Sequence, residues 1–183
     1  LVAYLKKNPA SLSYGSAGAG SLTHLTAELF KLQTDTFMLH IPYRGIAPAT
    51  TDLLGGQTQV MFPGLTAALS FIKGGRLKAL AVTGPRRHPA LPDVPTMDEQ
   101  GLKGFDAQQW YGVVGPAGMP APIVKQLNDA MATVLNQADF RQKLSAESVN
   151  LTPMTPTVMA DFMRRDLQRW IELATTRKIR LDA

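Results

Sequence analysis

The sequence predicts an α/β fold built on a parallel sheet, and three observations carry that expectation. Short apolar runs alternate with segments of helical apolar spacing between residues 12 and 83. The junction after each run is short and rich in Gly or Pro. Strands alternating with helices at such short spacing call for crossover connections, which parallel neighbours require.

The elements follow in order. Leu1, Val2 and Leu5 stand at helical spacing before Asn8-Pro9, with no N-cap ahead of them, and predict the end of a helix. Residues 12–14 predict a strand that runs into Gly15-Ser16-Ala17-Gly18-Ala19-Gly20-Ser21. Leu22, Leu25, Leu29, Phe30 and Leu32 then mark the expected buried stripe of a helix, with Ser21 as its N-cap. Residues 37–41 predict a second strand, followed by Pro42-Tyr43-Arg44-Gly45 and a short helix over 49–54 that Gly55-Gly56 ends. A third strand over 58–62 leads through Pro63-Gly64 to a helix over 65–73. Residues 77–83 predict the most apolar strand, suited to a sheet covered on both faces. Residues 86–95 are Pro-rich and irregular, 96–100 predict one helical turn, and 105–115 predict a long strand.

The last third is helical by pattern. One stripe comprises Ile123, Leu127, Ala130, Met131, Val134 and Leu135; another, after Thr155-Pro156, carries Val158, Phe162, Trp170, Ile171 and Ala174. Both need an apolar surface to cover, yet no strand is expected after Pro116. The expectation is that their sheet lies upstream of Leu1 and that the sequence is part of a longer protein.

Composition narrows the function. The 183 residues are 45% hydrophobic and 18% charged, which excludes a disordered chain. No run approaches the ~20 apolar residues of a membrane helix. The 19 Lys and Arg exceed the 14 Asp and Glu by five, a surplus that steers anionic partners. Its scatter over Lys6-Lys7, Arg86-Arg87, Arg164-Arg165 and Arg177-Lys178 argues against nucleic acid. The absence of Cys removes disulfides, thiolate chemistry and Cys-based zinc sites. The first residues do not read as a signal peptide.

The Gly-rich turn is the strongest local signal. Backbone N–H groups at a helix N-terminus approach an anion closely, and Ser16, Ser21 and Thr23 add hydroxyls. It is also the pattern of an ordinary tight turn. The dinucleotide fingerprint fails because its third Gly would fall on Thr23, and no Lys follows the glycines as a P-loop requires. No nucleophile elbow is present either. His24, His40 and His88 have no metal-ligand spacing; His24 could donate to an anion, and His40 reads as a core histidine. Tyr43 and Gly45, Pro63-Gly64 and Thr83-Gly84 follow strand ends, where open α/β sheets bind ligands. Arg44 reads as a solvated loop charge. No acid–base pair is evident, so neither an enzyme nor a cofactor is expected.

Several stretches together carry a resemblance: 14–21 with Thr23-His24-Leu25 and Glu28-Leu29-Phe30; 41–45 with Pro48-Ala49 and 52–57; and 77–83, 91–96 and 112–116. They resemble the Bug (Bordetella uptake gene) family, the TctC-type substrate-binding proteins of tripartite tricarboxylate transporters. The resemblance implies a periplasmic-binding-protein-like fold of type II, a Venus flytrap with two α/β lobes. It implies that 1–110 form the second lobe, and that 111–183 return to a first lobe lacking its N-terminal part. It further implies a periplasmic receptor for a small organic acid, working with the membrane components of such a transporter. The ligand-binding set expected is Ser16, Ala17, Gly18, Gly20, Ser21, Thr23, His24, Tyr43, Gly45, Pro63, Gly64 and Thr83. The family often has Asp where this chain has Pro63, which removes an acceptor for an amino or hydroxyl group. A cytoplasmic regulator's effector-sensing domain is the alternative, and the orphaned helix faces lead us to expect self-association.

Overall fold

The computed structural model describes residues 1–146, 149 and 151–179. Its order is α1 (Val2–Lys7), β1 (Ser13–Ser16), α2 (Leu22–Thr34), β2 (Leu39–Pro42), α3 (Ile46–Leu54), β3 (Val60–Met61), α4 (Leu65–Lys73), α5 (Ala121–Leu135), α6 (Ala138–Ala146) and α7 (Pro156–Thr176). Two compact units result, Leu1–Gln109 with the chain from Ile171 onward, and Trp110–Trp170.

The first unit holds the sheet. Its three strands are parallel in the order β2-β1-β3, with Ser13 opposite Leu39, Ser16 opposite Pro42 and Gly15 opposite Met61. The central strand is buried from Tyr14 to Ser16. Around it Ala27, Phe30, Met38, Ala49, Phe105 and Leu173 form the core, and Phe30 meets Phe62 at 5.6 Å between ring centres. Truncating a buried Phe of this kind costs about 3–5 kcal/mol. Thr96 and Glu99 close a reciprocal capping box: Thr96 N donates to Glu99 Oε2 at 2.8 Å, and Glu99 N to Thr96 Oγ1 at 3.0 Å. It braces the single helical turn expected there.

The second unit carries α5, α6 and most of α7. None of its described residues is buried. Ile123, Leu127, Met131 and Val134 make an exposed apolar row on α5. No described helix is long and apolar enough to cross a membrane.

Five expectations need correction. The buried face of α2 holds His24, Ala27, Glu28, Phe30, Lys31 and Thr34, whereas Leu22, Leu25 and Leu29 are half-buried and Leu32 is exposed. A buried ion-pair cluster of Glu28, Lys31 and Arg177 takes the place the leucines were expected to fill. Residues 77–83 form no strand. Val82 N bonds to Pro95 O and Met97 N to Val82 O, an isolated bridge, and Leu80 stays 48% exposed. Hydropathy identifies an apolar run, but a strand also needs a partner edge along its length. Residues 105–115 form no strand either: Phe105 and Ala107 are buried, then Tyr111, Val113 and Val114 are each at least 75% exposed. Helix α3 begins at Ile46 rather than 49, because Pro48 lies in its first turn, where its missing N–H costs nothing. Helix α6 was not expected, since its sequence is polar and lacks a clear apolar stripe.

Candidate functional site

All three strands end on one edge of the sheet, and each is followed within a few residues by a helix. The first loop is held in shape by its own polar groups. Tyr43 N donates to Ser16 O at 3.1 Å and Gly45 N to Ala17 O at 3.2 Å, which stitches the β1 and β2 loops together. Gly18 and Gly20 have φ of +126° and +73°, values that favour glycine. A Cβ on Gly18 would lie 3.3 Å from Tyr43 O.

The hydroxyls are spent inside the loop. Ser21 Oγ donates to Gly18 O at 2.7 Å and accepts from His24 N at 3.3 Å as the cap of α2. Its single proton is therefore used, so its 2.9 Å contact with Thr23 takes the proton of Thr23. Thr23 Oγ1 also accepts from Ala17 N at 2.9 Å. Ser16 is wholly buried, with Oγ 2.7 Å from His40 Nε2.

What the loop offers beyond these hydroxyls is backbone. Helix geometry leaves the first N–H groups of α2, α3 and α4 without intrahelical partners. No acidic side chain lies in any of the three first turns, and α3 and α4 have no side-chain cap. By that geometry the N–H groups of Leu22 and Thr23, Ile46 and Ala47, and Leu65 and Thr66 have no intrahelical acceptor, and each pair sits at the positive end of a helix.

Ser16 to Ser21, Thr23, His24, Tyr43 and Gly45 are accordingly drawn together, and Pro63 and Gly64 follow the neighbouring β3. Thr83 lies outside the sheet, donating to Ala107 O at 2.8 Å. Arg44 is exposed. Tyr43 is anchored by its hydroxyl, which donates to Asp52 Oδ2 at 2.7 Å; slight burial and that bond raise its pKa.

Two features escaped the sequence. Gln109 covers Gly64, where a Cβ would come within 2.6 Å of its Oε1, and Gln108 lies similarly against Gly84. Nothing but two adjacent polar residues marks them in the sequence. The second feature is a buried charged cluster behind the loop. Glu28, 6% exposed, accepts from Tyr14 OH at 2.8 Å and from Arg177 Nε at 2.9 Å, and pairs with Lys31. Burial alone would raise the Glu28 pKa, but the Lys31 and Tyr14 bonds, with Arg177, hold it below the usual carboxylate range. The same burial, and then Glu28, push the Tyr14 hydroxyl up. An i, i+3 Glu–Lys pair on a helix reads as solvated surface, which is why it went unrecognised.

No group of three or more potential metal ligands occurs among the described residues. The other unit has a depression of about 480 Å³ beside Met119, Val124 and Asn128, where Lys125 already pairs with Asp129 at 2.6 Å.

The model of the tripartite tricarboxylate transporter family receptor, TctC, matches residues 1–179. This chain belongs to that family. The UPF0065 protein in the tcbD-tcbE intergenic region of Pseudomonas sp. (strain P51) is 36% identical over 169 residues, 92% of this chain and 50% of the relative. Among solved structures, R. palustris Rpa4515 with adipate aligns at TM-score 0.88 and 31% identity, covering 99% of this chain and 60% of that one. Periplasmic binding protein BugD aligns at 0.81 and 32% identity, over 99% and 61%. MatC from Rhodopseudomonas palustris with bound malate aligns at 0.80 and 31% identity, over 94% and 60%. The fold is thus that of the periplasmic binding proteins, and the chain spans about half the length of the first curated relatives it matches.

Proposed function

We propose that this TctC-family chain is part of a periplasmic receptor that captures a small organic acid and delivers it to the membrane components of a tripartite tricarboxylate transporter. The observation that carries the reading is the edge of the sheet: three helix N-termini, free of acidic residues in their first turns, converge where open α/β sheets hold ligands. Fixed backbone dipoles suit a carboxylate better than a cation. The adipate and malate named for two structural relatives are carboxylates of the size such an edge would take.

In this reading residues 1–110 form one lobe and the chain from 111 enters the other, while the stretch from Ile171, with Leu173 and Arg177, packs again in the first unit. Ser16 to Ser21, Thr23, His24, Tyr43, Gly45, Pro63 and Gly64 form or shape the ligand edge, with Thr83 at its margin. The chain binds without turnover. Ser16 and His40 are near enough to suggest a nucleophile and base, but Ser16 has no exposed surface to meet a substrate. A thermal-shift screen of dicarboxylates, tricarboxylates, aromatic acids and amides tests the assignment. Stabilisation by one of the acids supports it; stabilisation by amides or amines alone would refute the anion reading.

A further inference from the structure

We infer that His24 is a positioning residue: its neutral imidazole holds the Gly-rich loop in shape through Gly20, and protonation releases that hold. Gly20 N donates to His24 Nδ1 at 3.0 Å, so Nδ1 carries no proton and the neutral ring carries its hydrogen on Nε2. Nε2 faces Glu28 Oε1 at 4.0 Å. The residue is 7% exposed, and its ring stacks on His40 at 3.9 Å.

The position is built from every side. β1 supplies Tyr14, whose ring centre is 6.3 Å away, and β2 supplies His40. The helix itself supplies Glu28 and Lys31, and the chain after α7 supplies Arg177 on the far oxygen of Glu28. Of these contacts, the one to Gly20 is the one a proton destroys. An imidazolium donates from both nitrogens, so Nδ1–H would then oppose the Gly20 N–H. Gly20 is held at φ +73°, one residue before the cap of α2, so losing this bond loosens the loop where the orphan donors begin. The consequence for ligand capture rests on the receptor reading above; the loop hold does not.

The test separates the two. Imidazole 15N shifts and amide exchange are followed on the ligand-free 183-residue chain from neutral to acid pH. Expected at neutral pH are an unprotonated, acceptor-type Nδ1 on His24 and a Gly20 amide protected from exchange. As His24 takes up its proton, the Gly20 protection factor should fall on the order of tenfold, the worth of one hydrogen bond. In H24N the side-chain oxygen stands near the Nδ1 position and cannot protonate there, so Gly20 protection should persist across the range. Three results would each overturn the inference: Nδ1–H at neutral pH, a His24 that stays neutral down to acid unfolding, or Gly20 protection that ignores the His24 titration. Adipate titration of the same samples is read separately. If Gly20 behaves as stated but no carboxylate binds at any pH, the loop hold stands and the receptor reading falls.

Discussion

Ser21 joins the loop to α2 twice, through its bond to Gly18 O and as the acceptor for His24 N. Ser21→Ala therefore removes a cap, and denaturant unfolding should show a loss of about 1 kcal/mol. Glu28 is more consequential. Among the described residues it is the carboxylate that faces Lys31, Arg177 and the Tyr14 hydroxyl together, and Glu28→Gln would leave two cations near each other with no negative charge between them. Breaking a buried pair this way costs about 3–5 kcal/mol, and we expect the lower end because Arg177 keeps some solvent. The pH dependence follows in sign. A carboxyl whose folded pKa lies below its unfolded value of 4.5 stabilises the fold fully above that pH, and the contribution disappears as the pH falls through the lower folded value. Tyr14, raised above its ordinary 10.0, does the reverse, stabilising below pH 10 and less as the pH climbs beyond it. Wild type should thus lose stability toward both extremes, and the acid limb should flatten in Glu28→Gln when thermal unfolding is followed across pH.

The β1–α2 loop is the element on which the proposed ligand edge depends, and its glycines are required by backbone rather than by composition. Gly20→Ala forces a Cβ onto a left-handed residue and should cost about 1–2 kcal/mol. Gly18→Val should be worse, because its Cβ also approaches Tyr43 O. The strand–loop–helix units around β1, β2 and β3 were legible because Gly and Pro punctuate each one and their apolar runs are short. Ser21 as cap and the strand-end placement of Tyr43, Gly45 and Gly64 were legible for the same reason. Residues 77–83 and 105–115 were not, because alternation and hydropathy do not say whether a partner edge exists. The buried side of α2 was misplaced because leucines attract the core assignment, while Glu28, Lys31 and His24 become buriable only through one another. Arg177 lies 149 positions from Glu28, and no local pattern foretells that pairing.

At the scale of the molecule, the apolar row of Ile123, Leu127, Met131 and Val134 on α5 remains exposed, as do Val158, Leu167 and Ile171 on α7. Contiguous apolar surface seeks cover, so the 183-residue chain should self-associate with rising concentration in sedimentation, and Leu127→Glu should weaken that association. The central claim, however, concerns the edge of the sheet. Isothermal titration of adipate and malate into the wild type and into a Gly18→Val, Ser21→Ala double variant tests it most directly, with circular dichroism to confirm that both are folded. Heat of binding for a carboxylate in the wild type, abolished or weakened by at least about tenfold in the folded double variant, is the result the account predicts. Equal affinity in the two proteins would contradict it and move the site elsewhere.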